Sequence, residues 1–175
     1  MEERMGEASA GTAQLTVIGR HLHAGDPAPE FRLHYLDLAD LAVRTLSLAD
    51  STGLVRLLNV VNTLESPHCQ QVIKQWETLR ALLPPEASVY TISMDPPQEQ
   101  ARWQDTAGVL HQVLSAHGSD QFGLDYGVWL KEWRQLRRPS LCLTVTTASP
   151  TPSTSPINYV SQTTQRLYKR FNKPR

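Results

Sequence analysis

Hydrophobic and polar positions along this chain come in short blocks whose period switches between two and about 3.6. Residues 14–18 set Leu15 and Val17 around Thr16 and read as a short strand, turned by Gly19. Pro and Gly make 24–29 a loop. Residues 31–35 alternate as a strand, and 43–48 can pair with it. Residues 54–61 are apolar apart from Arg56 and Asn59, the mark of a central strand buried on both faces. From 67 to 83 the apolar residues Cys69, Val72, Ile73, Trp76, Leu79, Leu82 and Leu83 fall on one helical face, and Pro84-Pro85 ends it. Residues 87–93 read as a second buried strand, 97–107 as a helix stopped by Gly108, and 113–115 as a brief strand. A turn-rich segment, Phe122-Gly123-Leu124-Asp125-Tyr126-Gly127, leads into apolar residues 128–130. Residues 141–146 alternate as another strand, and 156–160 can form a last one.

Strands alternating with helices predict an α/β fold, a sheet covered by helices on both faces. Residues 1–13, rich in Glu, Gly, Ala and Ser, read as a flexible leader. Residues 14–147 form the domain, and 148–175 comprise a Ser/Thr/Pro-rich loop and a basic end. The chain has 175 residues with 17 basic and 17 acidic side chains, so overall charge favours neither nucleic acid nor a membrane surface. No apolar stretch approaches the roughly 20 residues needed to span a bilayer. The polar, acidic start lacks the apolar core of a secretion signal, which predicts a cytoplasmic protein. Two cysteines, Cys69 and Cys142, make neither a Cys-x-x-Cys pair nor a zinc spacing, so no metal or cofactor is expected.

Cys69 is the position with the most chemistry. It follows a buried strand and a short polar loop, at the opening of a helix. Ser66 suits the N-cap and Pro67 the first helical position, so Cys69 falls third, facing backbone N–H groups that lack helical partners. Those groups and the helix dipole favour a thiolate there. A free cysteine also serves as a small buried apolar residue, and spacing alone leaves both readings open. His68 is adjacent to Cys69, and neighbouring helix residues do not face each other, so it is read as surface. Cys142 sits in an alternating strand and is read as core.

Several segments together resemble the peroxiredoxins, in particular their thiol peroxidase branch. Residues 14–19 and 24–31 resemble the family's opening, and 58–69 its active-site loop, whose pattern is Pro-x-x-x-Thr/Ser-x-x-Cys. Asp95-Pro96-Pro97 with Arg102-Trp103 is similar to the next loop and helix. Leu114-Ser115, Phe122-Gly123 and Tyr126-Gly127-Val128 are similar to the segment that follows. Leu136-Arg137-Arg138-Pro139 matches the place of the family's active-site arginine. The resemblance implies a thioredoxin-like fold with a central mixed β-sheet. It implies a peroxidatic Cys69, a Ser66 hydroxyl in place of the family's threonine, and Arg138 as the arginine, with Arg137 one residue away as the alternative. It also implies a peroxide substrate, an external thiol reductant (thioredoxin, glutaredoxin or a small thiol) and a homodimer.

Three departures stand out. Asn62 replaces the proline that shields the thiol in the family. Gln104 replaces the branch's resolving cysteine, which excludes its usual internal disulfide. Beyond Thr147 the family's final strand and helix give way to the Ser/Thr/Pro loop and basic end. The expected activity is therefore reduction of hydrogen peroxide or alkyl hydroperoxides by a one-cysteine route, in which an external thiol reduces a Cys69 sulfenic acid. The alternative is a catalytically weakened thioredoxin-like protein that senses oxidation or binds a partner.

Overall fold

The computed structural model describes residues 2–137 in full and the backbone of 141–146 and 157–161. Two sheets organise it. The larger is built on three parallel strands, β5 (Val55–Val60), β6 (Ala87–Ser93) and β7 (Gln112–Ser115). On one side of this trio, β10 (Leu141–Thr146) and β11 (Ile157–Ser161) add antiparallel strands; on the other, β3 (Arg32–Asp37) and β4 (Ala42–Ser47) do the same. The order is β11-β10-β5-β6-β7-β3-β4, a mixed sheet.

Alternation along each parallel strand divides the core. Leu57 and Val89 pack under Val72, Trp76 and Leu79 of helix α1 (Pro67–Arg80). On the same face Val61 and Val113 meet Cys69 and Ile73 of α1, with Trp103 and Ala107 of helix α2 (Pro97–Ala107) packed against them. Their sequence neighbours Leu58, Tyr90 and Leu114 point the other way. They meet Phe122 of the short helix α3 (Gln121–Asp125), then Tyr126, Val128, Trp129 and Leu136. Helices thus lie on both faces, as the strand–helix alternation requires. Arg56, within this buried run, has its guanidinium fully enclosed; Nε donates to Ser51 Oγ at 2.6 Å and Nη2 to the Leu48 carbonyl at 2.9 Å.

The second sheet corrects one expectation. Residues 1–13, read from sequence as a flexible leader, contain a paired strand: β1 (Glu3–Ala10) pairs antiparallel with β2 (Ala13–Ile18), from Glu3 opposite Ile18 to Ala10 opposite Ala13. Gly11, at φ +59°, makes the tight turn between them. Few side chains of β1 are covered, so a hydrophobicity pattern has little to register. Its order comes from backbone pairing and from Arg4, which donates to the carbonyls of Gly19 at 3.2 Å and Gly127 at 2.7 Å. Strand β2 continues to β8 (Trp129–Leu130), and β8 to β9 (Gln135–Leu136). The turn-rich segment before β8 forms α3 and ends at Gly127, where φ is +62° and an added Cβ would lie 2.1 Å from the Arg20 carbonyl oxygen. Among the described residues, no helix is long and apolar enough to cross a membrane.

Candidate active site

Strand β5 ends at the edge of a cleft of about 510 Å³. The chain turns through Asn62 to Ser66 and enters α1 with Pro67 in its first turn. Ser66 holds the N-cap position with extended backbone (φ −72°, ψ 121°), and Gln70 N–H donates to its carbonyl at 3.0 Å. The Ser66 hydroxyl, expected to cap the helix, makes no capping bond, and Ser66 is one of the residues lining the cleft. Cys69 comes third in the helix, 3% exposed, and also lines the cleft. Its thiol donates to Asn62 Oδ1 at 3.1 Å.

The loop that sets this geometry is held from below by one carboxylate. Asp95 accepts the Thr63 hydroxyl at 3.0 Å, the Leu64 N–H at 2.9 Å and the Ser93 hydroxyl at 2.6 Å. Gln100 Nε2 donates to Ser93 Oγ at 2.9 Å, extending the network into α2. Gln70 Nε2 closes the loop from the helix side, donating to the Leu64 carbonyl at 2.7 Å. These bonds leave the 62–66 turn little freedom to move Ser66 relative to Cys69.

Across the cleft, Arg137 follows β9 and is fixed by its N–H to the Val128 carbonyl at 2.6 Å. Its Nη1 lies 3.1 Å from Glu7 Oε1 on β1, and Arg4 binds the same carboxylate. Burial pushes the Glu7 carboxyl up, but hydrogen bonds and charge from Arg4 and Arg137 outweigh it and hold the group below its usual range. Leu15, Leu130, Trp133 and Leu136 form an apolar wall beside these charges. The cleft therefore brings a sulfur nucleophile at a helix start, a hydroxyl-bearing and an amide-bearing residue and, opposite them, an arginine around one partly apolar groove.

Of the residues singled out in the sequence, Ser66 and Cys69 come together in this cleft. Arg137, the alternative cation, joins them. Arg138 lies outside the described residues. His68 is exposed, as expected, yet lies on the rim of the same cleft. Gln104 sits on α2 and donates to the His111 carbonyl at 2.8 Å. Cys142 lies on β10, its backbone opposite Val160 and next to Leu143, which stands opposite Leu58. The role of Glu7 was hidden because its segment read as a leader. The Asn62 contact was hidden because seven positions separate it from Cys69 across a turn. Among the described residues no cluster of three or more His, Cys, Asp or Glu could hold a metal.

Comparison with known proteins places the chain in a family. The AhpC/TSA family model matches residues 24–158. The thiol peroxidase of Bacillus subtilis strain 168 is 33% identical over 135 residues, covering 77% of each chain. That of Halalkalibacterium halodurans is 35% identical over 125 residues, covering 71% of this chain and 72% of its own. In fold, a thiol peroxidase from Chromobacterium violaceum superposes with TM-score 0.66 at 18% identity, covering 86% of this chain and 84% of its own. A peroxiredoxin-like protein from Aquifex aeolicus does so with TM-score 0.66 at 21% identity, covering 85% and 82%. The chain belongs to the AhpC/TSA family, the peroxiredoxins, in their thiol peroxidase branch.

Proposed function

We propose that this protein is a thiol-dependent peroxidase that reduces hydrogen peroxide or alkyl hydroperoxides through Cys69. The observation that carries the reading is a cysteine third in a helix, lining a cleft that also holds a hydroxyl not used for capping and a guanidinium. The Cys69 thiolate attacks one peroxide oxygen in line with the O–O bond. A sulfur–oxygen bond forms, the O–O bond breaks, and the second oxygen leaves as hydroxide or alkoxide and takes a proton. Sulfur loses two electrons to the peroxide and ends as sulfenic acid. Charge builds on the leaving oxygen, where the Ser66 hydroxyl, the Cys69 N–H and an arginine act as donors. Arg138 takes that place by its position in the motif; Arg137 takes it by its place on the cleft. The apolar wall of Leu15, Leu130, Trp133 and Leu136 suits the alkyl part of an organic hydroperoxide.

With a glutamine and no thiol at position 104, the resolving step falls to an external thiol. It attacks the sulfenic acid with release of water, and a second thiol frees Cys69 from the mixed disulfide. The homodimer common in the branch is part of the same proposal. The test is consumption of hydrogen peroxide and of an alkyl hydroperoxide with a small-thiol reductant. Wild type consumes both, and Cys69→Ser consumes neither; a wild type that leaves both peroxides intact removes the reading.

A further inference from the structure

Among the described residues, the Asn62 side chain is the one hydrogen-bonded to the sulfur, with Oδ1 3.1 Å from Cys69 Sγ. It stands where the resembled family carries a proline, a residue that offers the sulfur no side-chain hydrogen bond. Asn62 is half-buried and lines the cleft, so it touches both the sulfur and the space through which a peroxide must come. A primary amide has a property shared by few neutral side chains: one planar group carries an acceptor and two donors, exchanged by a half-turn about its last bond. The thiol is a donor and requires the oxygen. The thiolate is purely an acceptor and requires the N–H.

We propose that Asn62 is a further catalytic residue of this site, whose amide accepts from the Cys69 thiol at rest and turns to donate to the sulfur once its proton has left. The proposal rests on the peroxidase reading for its biological meaning but not for its chemistry, since the turn accompanies ionisation whether or not peroxide follows. In the turned state the Nδ2–H adds a neutral donor to those of the helix start, without placing a further fixed charge beside the sulfur. In the attack on peroxide the same N–H stays on the sulfur side, while Ser66 and the arginine serve the departing oxygen. A neutral sulfenic acid is again a donor through its hydroxyl, and the amide turns back to accept from it. Asn62 thus keeps a partner to the sulfur through every protonation state of the first half-reaction, a role proline cannot play.

Two substitutions separate this role from mere holding of the thiol. Asn62→Asp keeps the shape and the acceptor, removes the donor and adds a negative charge that itself disfavours the thiolate, so the neutral variant decides the case. Asn62→Ala removes both. The readout is the rate of Cys69 alkylation by iodoacetamide against pH, taken by mass spectrometry on the Cys69 peptide, with circular dichroism to confirm the fold. Alkylation needs the thiolate but no peroxide, so a protein that fails to consume peroxide still reports on Asn62. The expected result is that both variants alkylate more slowly than wild type at neutral pH, by about tenfold for Asn62→Ala and more for Asn62→Asp, with profiles moved to higher pH. Stopped-flow oxidation by peroxide follows the same order. An Asn62→Ala profile that is unchanged or moved to lower pH means that the amide only accepts, and overturns the proposal. If Asn62→Ala does not fold, the neutral near-isostere Asn62→Leu takes its place, and an Asn62→Leu profile unchanged or moved to lower pH overturns the proposal equally.

Discussion

Helix α1 carries Cys69 at one end and is pinned at the other by Glu77, so Glu77→Gln tests how firmly the fold holds the site-bearing element. Glu77 Oε2 accepts the Leu110 N–H at 3.0 Å, the His111 N–H at 2.9 Å and His111 Nδ1–H at 2.7 Å, while Oε1 accepts from Arg80 Nε at 2.7 Å. A carboxylate only accepts, so His111 carries its proton on Nδ1 and its Nε2 accepts the Thr91 hydroxyl at 2.8 Å. Burial pushes the Glu77 carboxyl up, but the His111 N–H, Arg80, the His111 ring and the Leu110 N–H outweigh it and bring it from 4.5 down to about 2. At about 1.4 kcal/mol per unit this amounts to roughly 3 kcal/mol of folding stability at neutral pH. The folded value lies below the unfolded one, so the contribution is complete above 4.5 and is lost as pH falls toward 2. Burial also depresses the His111 imidazole below its usual 6.5, so its contribution is likewise present above 6.5 and lost as pH falls below it. Glutamine keeps one acceptor but turns an N–H toward Arg80. Glu77→Gln should therefore melt about 10 °C below wild type at pH 7, at roughly 2–4 °C per kcal/mol for a chain of this size. Below pH 4.5 the gap should narrow, because wild type loses there what the variant never had. Melting curves by circular dichroism between pH 3 and 7 read both effects. An unchanged melting temperature, or a deficit as large at pH 3 as at pH 7, refutes the reasoning.

Stopped-flow oxidation should fall about a hundredfold in Ser66→Ala, the usual cost of removing one transition-state donor. Arg138→Ala should fall as far; if Arg137→Ala is crippled and Arg138→Ala is not, the cation facing the peroxide is Arg137. Asp95→Ala should lose about 2 kcal/mol in urea unfolding, because Thr63, Leu64 and Ser93 lose their acceptor, and should slow Cys69 oxidation through the loosened loop. After one equivalent of peroxide, a dimedone-type probe should label Cys69, and mass spectrometry should find no intramolecular disulfide. A Cys69–Cys142 bridge, lost in Cys142→Ser along with turnover on a dithiol, would replace the one-cysteine route and leave the peroxidase reading in place.

Much of the scaffold was legible before any coordinates, and the reason is local. β5, β6 and β7 are buried on both faces, so their apolar runs stand out from the flanking loops whatever packs upon them. α1 shows its buried stripe of Cys69, Val72, Ile73, Trp76 and Leu79 through helical spacing alone. Cys69 at a helix start follows from Ser66-Pro67, and so was open to sequence reading. The hairpin of β1 and β2 was not, because β1 is held by backbone pairing and by Arg4, neither of which leaves a mark in hydrophobicity.

What surrounds the sulfur was decided by tertiary structure. Sequence determined that a cysteine would open a helix after a buried strand, since apolar period, proline and cap residue act over a few positions. That its thiol meets Asn62, that Glu7 reaches over to Arg137, and that Glu77 locks α1 to His111 depend on which turns fold back and which strands become neighbours. A hydrogen bond or ion pair forms wherever the chain path brings two groups within about 3 Å, and it asks of each residue only that it be polar. Polar residues are common on every surface, so their pairing carries no pattern along the chain; the path of the backbone chooses it.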